Sequence, residues 1–369
     1  MTPEPQSTPL VTFVVPCYRL AHLLGECVQS ILRQDFQDFE ILIMDDCSPD
    51  DTPSVAASFA DPRVRHVRHP ENLGNLRNFN AGISLARGRY IWLISADDRL
   101  GEPYALSRLV TALEKNPSAT FAFCPVRRFS SEGDLGLYGS VAPTDTVWPG
   151  REFFLQLLNG NIVPAASAVA RRSAYEKVGG FPLHLPYAGD WSMWAAFTLL
   201  GDVIYLAEPM VHWRFHDLNM TKAFQKRAAA LVNDEIEVLW LMKSWANDAG
   251  QADLGARALG AIRSKYAYHL ERGASEAWTY GLSAEAFEES LAAHATNRTE
   301  RSRICGTAYT ALGDGHVAAG RVPEARKAYL HALSTAPMMG KTLAKFALLS
   351  LGATGTWMRQ VLGRQSAGH

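Results

Sequence analysis

The chain has 369 residues, 36 basic and 37 acidic side chains and a net charge of -1, with 47% hydrophobic and 20% charged residues. This is a soluble globular composition, and it exceeds the ~250–300 residues that one core usually organises, so two domains are expected. The charge balance excludes a global basic field for nucleic acid, and no nucleic-acid-binding motif is present.

The five cysteines, Cys17, Cys27, Cys47, Cys124 and Cys305, form no C-x-x-C pair. Neither a disulfide framework nor a structural zinc is expected, and the reading is a reduced, cytoplasmic protein. Residues 1–9 are polar and Pro-rich, without the pattern of a signal peptide, and read as a flexible N-terminus. No run of about 18 apolar residues occurs, so no transmembrane helix is expected. The Asn-x-Ser/Thr matches at Asn219 and Asn297 therefore read as chance occurrences.

In chain order, residues 11–15 (VTFVV) form a β-branched run that should end at Pro16. Residues 22–33 carry apolar side chains at helical spacing, and 40–44 (EILIM) read as a second strand. A polar turn over 45–53 places Pro53 in the first turn of a helix reaching about residue 59. A short strand at 64–68, a loop and helix over 72–86, and a strand at 90–94 (YIWLI) follow. The next elements are a helix at 106–114, a strand at 120–124 and a Gly-rich loop over 130–148. Then come a helix at 151–158, a strand-like stretch at 164–171, a short helical turn at 175–178, an amphipathic helix at 190–200, a strand at 202–205 and a closing segment at 212–216.

Strands alternating with helices at this spacing give an α/β fold with a mostly parallel central sheet covered on both faces. Ligands bind such sheets outside the carboxyl ends of the strands. Three polar clusters fall there: Pro16-Cys17-Tyr18, Asp45-Asp46 and Ser95-Ala96-Asp97-Asp98.

From residue 222 the strand signals vanish and Ala, Leu, Glu, Lys and Arg dominate. Helices are expected at 224–247, 252–271, 284–294, 300–319, 322–335 and 339–349. Residues 304–350 resemble one and a half tetratricopeptide helix pairs, short of the roughly three repeats a solenoid needs. The domains are therefore read as 10–221, α/β, and 222–369, an all-α accessory domain. The stretch 338–364 mixes apolar residues with Lys341, Lys345, Arg359 and Arg364, a pattern compatible with peripheral contact with an anionic membrane or with packing on neighbouring helices.

Four segments, VVPCYR, EILIMDDCSPDDT, NLGNLRNFNAG and GRYIWLISADD, occur in the order and spacing of the family 2 glycosyltransferases, which the chain resembles over residues 11–216. The resemblance implies a GT-A domain that binds a nucleotide-diphosphate sugar with Mg2+ or Mn2+. It places Asp97, the last carboxylate of the family's D-x-D, at the metal with Asp98 beside it; Ser95 stands where the first carboxylate is usual. It carries Asp46 to the nucleotide base, Pro16 and Tyr18 to the base and ribose pocket, and Asn72 and Arg77 to the donor.

A hard divalent ion held by carboxylates can neutralise a diphosphate as it leaves, although an Asp at a strand end also caps helices. Gly189-Asp190-Trp191 resembles the family's E-D or G-D motif at a helix start, which makes Asp190 the candidate base for the acceptor hydroxyl. The segment HWRFH resembles a closing segment of many of these enzymes, which makes His216 the candidate for reaching the diphosphate or metal.

The resemblance implies an inverting, metal-dependent hexosyltransferase, and the expected setting is polysaccharide or glycolipid assembly, with a glycan or lipid-linked acceptor, at the inner face of a membrane. A nucleotidyltransferase is disfavoured because the loop after the first strand, residues 16–20, holds no glycine. A non-catalytic binding or scaffold protein is disfavoured by the joint presence of Asp46, Asp97 and Asp190.

Overall fold

The computed structural model describes residues 8–216, 219, 228–273, 281–295, 297–337 and 339–350. Residues 1–7, 224–227, 338 and 351–364, on which parts of the terminal and amphipathic expectations fall, lie outside the described residues. The chain divides into two compact units, Met1–Lys222 with Asp248–Gly250, and Ala223–Asn247 with Gln251–His369.

In the first unit, β1 (Val11–Cys17) and β2 (Phe39–Asp45) are buried at every position, as strands covered on both faces must be. They are joined by α1 (Ala21–Leu32), which buries Leu24, Cys27, Val28 and Ile31. Next come α2 (Thr52–Ala57), with Pro53 in its first turn, β3 (Val64–Arg68), α3 (Asn75–Leu85) and β4 (Tyr90–Leu93). These strands pair in parallel in the order β3-β2-β1-β4.

The strand does not end at Pro16, as the sequence suggested; it runs on to Cys17. Pairing with β4 stops at Val14 opposite Leu93, and the Pro16 carbonyl accepts from Ala96 N at 3.1 Å. A missing N–H beyond the end of that ladder costs no hydrogen bond.

The unit continues with β5 (Arg99–Leu100), α4 (Ala105–Lys115), β6 (Ala119–Phe123), β7 (Val126–Ser130), β8 (Gly133–Tyr138), β9 (Thr146–Trp148) and α5 (Gly150–Leu157). It closes with β10 (Val169–Arg171), α6 (Arg172–Val178), α7 (Gly189–Thr198), β11 (Asp202–Tyr205) and β12 (Val211–Arg214). The main sheet runs β3-β2-β1-β4-β10-β6-β11-β9, and β10 and β9 are antiparallel to their neighbours. A second sheet runs β5-β12-β7-β8.

Three expectations are corrected. Residues 130–148 contain β8 and β9, because Gly133, Gly136 and Gly139 take positive φ in an exposed hairpin and mask the alternation. Residues 164–171 hold only a 3-10 turn, Ala165–Ser167, and the three-residue β10. Helix α7 is buried around its whole circumference rather than amphipathic, from Trp191 to Thr198.

Phe13 stacks on Trp92 at 5.1 Å and meets Phe39 edge-on at 5.7 Å, joining β1, β4 and β2 in the core. Beneath them Glu40 accepts from Thr12 Oγ1 at 2.7 Å and from Arg87 N, Nε and Nη2 at 3.0, 2.9 and 2.6 Å. Burial alone would push this carboxyl up; the Arg87 and Thr12 bonds outweigh it and hold it below its ordinary range. Gly88 passes so close that a Cβ there would sit 2.5 Å from Thr12 N.

Among the described residues, the second unit is helical: α8 (Ala228–Asp248), α9 (Ala252–Gly273), α10 (Ala284–His294), α11 (Arg298–Ala318), α12 (Val322–Thr335) and α13 (Gly340–Ser350). Asn297 caps α11, accepting from Thr299 N and Glu300 N at 2.9 and 3.2 Å. No described helix is long and apolar enough to cross a membrane. The fold is thus an α/β domain with a mostly parallel central sheet and a helical C-terminal region, the class that the sequence implied.

Candidate active site

The three polar clusters lie side by side because β2, β1 and β4 are neighbours. Cys17 stands opposite Asp45 in register, and Asp46 N donates to Cys17 O at 3.0 Å. Asp45 is fully buried and serves the turn: it accepts from Ser48 N at 2.8 Å and from Arg68 Nη1 at 2.6 Å, and His66 Nε2 lies at 3.3 Å. Cys47, which stands where the family pattern has glycine, takes a left-handed backbone at φ 57°.

Asp46 is buried, and both of its oxygens are committed. Oδ1 accepts from Leu73 N at 2.7 Å and Oδ2 from Gly74 N at 3.0 Å. Asn72 Nδ2 donates to Asp46 O at 3.2 Å. Asp46 therefore anchors the loop entering α3, where Gly74 needs φ 81°. Tyr18 is 41% exposed beside this turn, with the Arg19 guanidinium 5.4 Å from its ring centre, while Pro16 is buried in β1. Arg77 is exposed in the first turn of α3.

The acidic pair follows β4, and β5 starts directly after it. β5 pairs antiparallel with β12, His212 opposite Arg99, which returns the end of β12 to the acidic pair. His216 Nε2 lies 2.9 Å from Asp97 Oδ2, and Asn219 Nδ2 donates to the same oxygen at 3.0 Å. Asp97 Oδ1 is buried with no hydrogen-bond partner among the described residues. Asp98 Oδ1 accepts from Arg214 N at 2.9 Å. Burial first, then the neighbouring Asp97 carboxylate, push Asp98 well above the ordinary range, against the Arg214 bond and charge.

Arg214 also donates from Nε to Asp97 O at 3.0 Å and pairs with Glu26 of α1, which binds Arg99 as well. The two guanidinium groups lie 4.8 and 4.5 Å from the Phe129 ring centre. The acidic pair is thus held from α1, β5, β7 and β12 together.

Asp190 sits in the first turn of α7. Its Oδ1 accepts from Trp191 N at 2.8 Å and its Oδ2 from Asn161 Nδ2 at 2.9 Å. Burial is the largest influence on this carboxyl and pushes it up to about 6 against those two bonds and one from its own backbone N–H. A carboxylate tuned near neutrality suits proton abstraction. Trp191 and Trp194 are core residues: the first donates to Leu157 O at 3.0 Å, and the second packs 5.3 Å from Phe121.

Sequence reasoning overlooked Glu26, Arg99, Asn161 and Asn219. Glu26 and Arg99 look like solvated helix and turn charges until the β5–β12 pairing is known. Asn219 carried only a glycosylation-like triplet, and Asn161 no signal at all.

A divalent ion at a diphosphate takes part of its ligands from phosphate and water. Among the described residues no three His, Cys, Asp or Glu side chains converge as a metal site. The unpartnered Asp97 Oδ1 with His216 alongside nevertheless fits a shared site of this type.

Residues 12–179 match the family model described as glycosyl transferase family 2. An uncharacterized glycosyltransferase of Haemophilus influenzae is 28% identical over 218 residues, 57% of this chain and 67% of that protein. The succinoglycan biosynthesis protein ExoO of Rhizobium meliloti is 39% identical over 108 residues, 29% of this chain, which spans only 31% of ExoO. A similar fold occurs in the crystal structure of S. aureus TarS 1–349 in complex with UDP, at 14% identity and a TM-score of 0.58, covering 95% of this chain and 91% of that one. Residues 12–179 of this chain are thus similar in sequence to glycosyl transferase family 2, and its fold is like that of TarS.

Proposed function

We propose that the chain is an inverting, metal-dependent glycosyltransferase that moves a sugar from a nucleotide-diphosphate donor to a hydroxyl acceptor. The observation that carries this reading is the buried Asp97 Oδ1 at the carboxyl end of β4, which has no partner among the described residues, while its sister oxygen is held by His216 and Asn219. Asp97 and His216 would hold Mg2+ or Mn2+. Such an ion supplies charge neutralisation for the leaving diphosphate. Asp98, spent on the Arg214 backbone, supports Asp97 rather than acting as a second outward ligand.

In this reading Tyr18 and Pro16 line the base and ribose pocket. Asp46 and Asn72 shape that pocket by fixing the 72–74 loop, and Arg77 offers a guanidinium to phosphate. Asp190 takes the proton of the attacking acceptor hydroxyl. Attack by that oxygen on the anomeric carbon, opposite the departing diphosphate, inverts the configuration.

The similarity to ExoO, a succinoglycan biosynthesis protein, supports a setting in polysaccharide assembly; the acceptor in this reading is a glycan or a lipid-linked glycan at the inner face of a membrane. The helical unit acts as an accessory domain that positions the protein or its acceptor.

The test is release of nucleoside diphosphate from a panel of UDP- and GDP-sugars by the full chain, with and without Mn2+. Release with at least one donor that needs the cation and is lost in Asp97→Ala is expected. Absence of both release and thermal stabilisation with every donor would refute the reading.

A further inference from the structure

Asp190 is held from two sides. One side is its own helix, through the Trp191 N–H. The other is the loop after α5, where Asn161 donates from Nδ2 to Oδ2 while its own Oδ1 accepts from Val163 N at 3.2 Å. That second bond fixes the Asn161 amide, so its NH2 group, not its oxygen, meets the carboxylate.

The Asn161 backbone is secured in turn. Its carbonyl accepts from Tyr138 Oη at 2.7 Å. Tyr138 closes β8, and its ring packs 5.6 Å from the Trp213 ring. Trp213 precedes Arg214, whose N–H holds Asp98. A continuous path of contacts therefore runs from the acidic pair through Arg214, Trp213, Tyr138 and Asn161 to Asp190.

We propose that Asn161 is a positioning residue for the Asp190 carboxylate, and that the Tyr138–Asn161 bond sets where that carboxylate stands relative to the acidic pair. The inference rests on the reading of Asp190 as the base. Donors on both oxygens, Trp191 N on Oδ1 and Asn161 Nδ2 on Oδ2, leave the carboxylate a single orientation. A base that must meet an acceptor hydroxyl in line with a departing diphosphate gains from such fixation. Asn suits the position better than Asp or Leu: it donates to the carboxylate without adding a charge or losing the bond.

The ionisable surroundings are consistent with this role. Tyr138 is pushed up to about 12, by burial first and then by the Asp190 and Tyr187 charges, with Arg128 opposing. It therefore stays a neutral donor throughout the range in which Asp190 titrates.

The experiment follows the Asp190 carboxyl directly in the full chain, by carbon-13 NMR of labelled aspartate. The resonance is assigned by its loss in Asp190→Asn. Asn161→Ala removes a bond that favours the charged form, so the midpoint moves to higher pH, by about one pH unit or tenfold in the proton equilibrium. Asn161→Asp, nearly the same shape with an acceptor in place of the donor, moves it further in the same direction. Tyr138→Phe keeps the ring stack and gives a smaller shift of the same sign.

The acid limb of Mn2+-dependent hydrolysis of the UDP- or GDP-sugar turned over fastest by the wild type moves with the NMR midpoint, while the KM for that sugar stays within about twofold. An unchanged midpoint in folded Asn161→Asp, or a change in KM alone, overturns the positioning role. If the midpoint moves as stated but Asp190→Asn retains wild-type hydrolysis, the coupling stands and it is the base assignment that fails. Should Asn161→Ala unfold, Asn161→Asp and Tyr138→Phe carry the test.

Discussion

His216 Nε2 lies 2.9 Å from Asp97 Oδ2, joining the residue beyond β12 to the residue beyond β4 across 119 positions of sequence. The contact occupies one carboxylate oxygen, and the other is buried without a partner among the described residues. Asn219 reinforces the same oxygen, and its own Oδ1 accepts from His216 N. The segment following β12 therefore behaves as a clasp that orients Asp97 rather than as a distant loop.

Loosening that clasp should weaken cation binding without unfolding the domain. Partners that orient a metal-binding carboxylate typically contribute about 10–100-fold to metal affinity. Asn219→Ala is expected to lower Mn2+-dependent affinity for UDP by that order, and His216→Ala by at least as much. Titration calorimetry of UDP with and without Mn2+ measures both. Equal affinities in wild type and both variants would remove this segment from the site.

Asp190→Asn should keep the carboxyl's shape and its bond from Trp191 N, so donor affinity should survive. Loss of a general base typically costs ~10²–10⁴-fold in rate. The expected result is donor hydrolysis reduced by that factor with an unchanged dissociation constant for the donor. Turnover near the wild-type rate would leave Asp190 with only its place in the first turn of α7.

Much of the N-terminal unit could be read from the chain because its strands are buried runs and its turns are chemically distinctive. VTFVV, EILIM and YIWLI each became a strand of the parallel core. Asp97, Asp98 and Asp46 stand at strand ends because the strands stop there. What stayed hidden depends on contacts distant in sequence. The pairing of β5 with β12 makes Glu26, Arg99 and Arg214 one network. β8 and β9 are exposed and glycine-broken, so no period-2 pattern marks them. The tie from Asp46 to the 72–74 loop was hidden as well, since its two bonds come from residues 27 and 28 positions away.

Glu40 should make the α/β unit sensitive to acid. Its carboxyl is held below the ordinary value of 4.5 in the folded state. The stabilisation it gives is complete above that value and is lost as pH falls through the lower folded value. Glu40→Ala strands the Thr12 hydroxyl and frees Arg87, at a cost of about 1–3 kcal/mol near neutral pH. Thermal unfolding of wild type and variant at pH 7 and below 4 should show the difference shrinking on acidification. A difference independent of pH would mean that Glu40 contributes packing rather than charge.

The helical unit carries the opposite pH signature. His294, at the end of α10, has both ring nitrogens facing acceptors: Nδ1 donates to Ser290 O at 2.8 Å and Nε2 to the Glu237 carboxylate on α8. Its ring stacks on Trp240 at 5.5 Å and 12°, and Lys243 lies 5.0 Å from the centre of the same indole. Two acceptors favour the doubly protonated ring, and the Glu237 bond, the largest influence, raises its titration above the ordinary 6.5. A raised folded value gives stability that is fully present below 6.5 and lost as pH rises through the folded value. Both partners are partly exposed, so screening limits the effect to about 1 kcal/mol. His294→Gln can serve only one of the two acceptors and carries no charge. It should therefore remove the decline in stability above pH 6.5 while costing most below it. Amide hydrogen exchange across α8 and α10, measured at pH 6 and pH 8 and corrected for intrinsic rates, reads this out locally. Protection that falls equally in wild type and variant between the two pH values would show that the α8–α10 contact does not depend on the imidazolium.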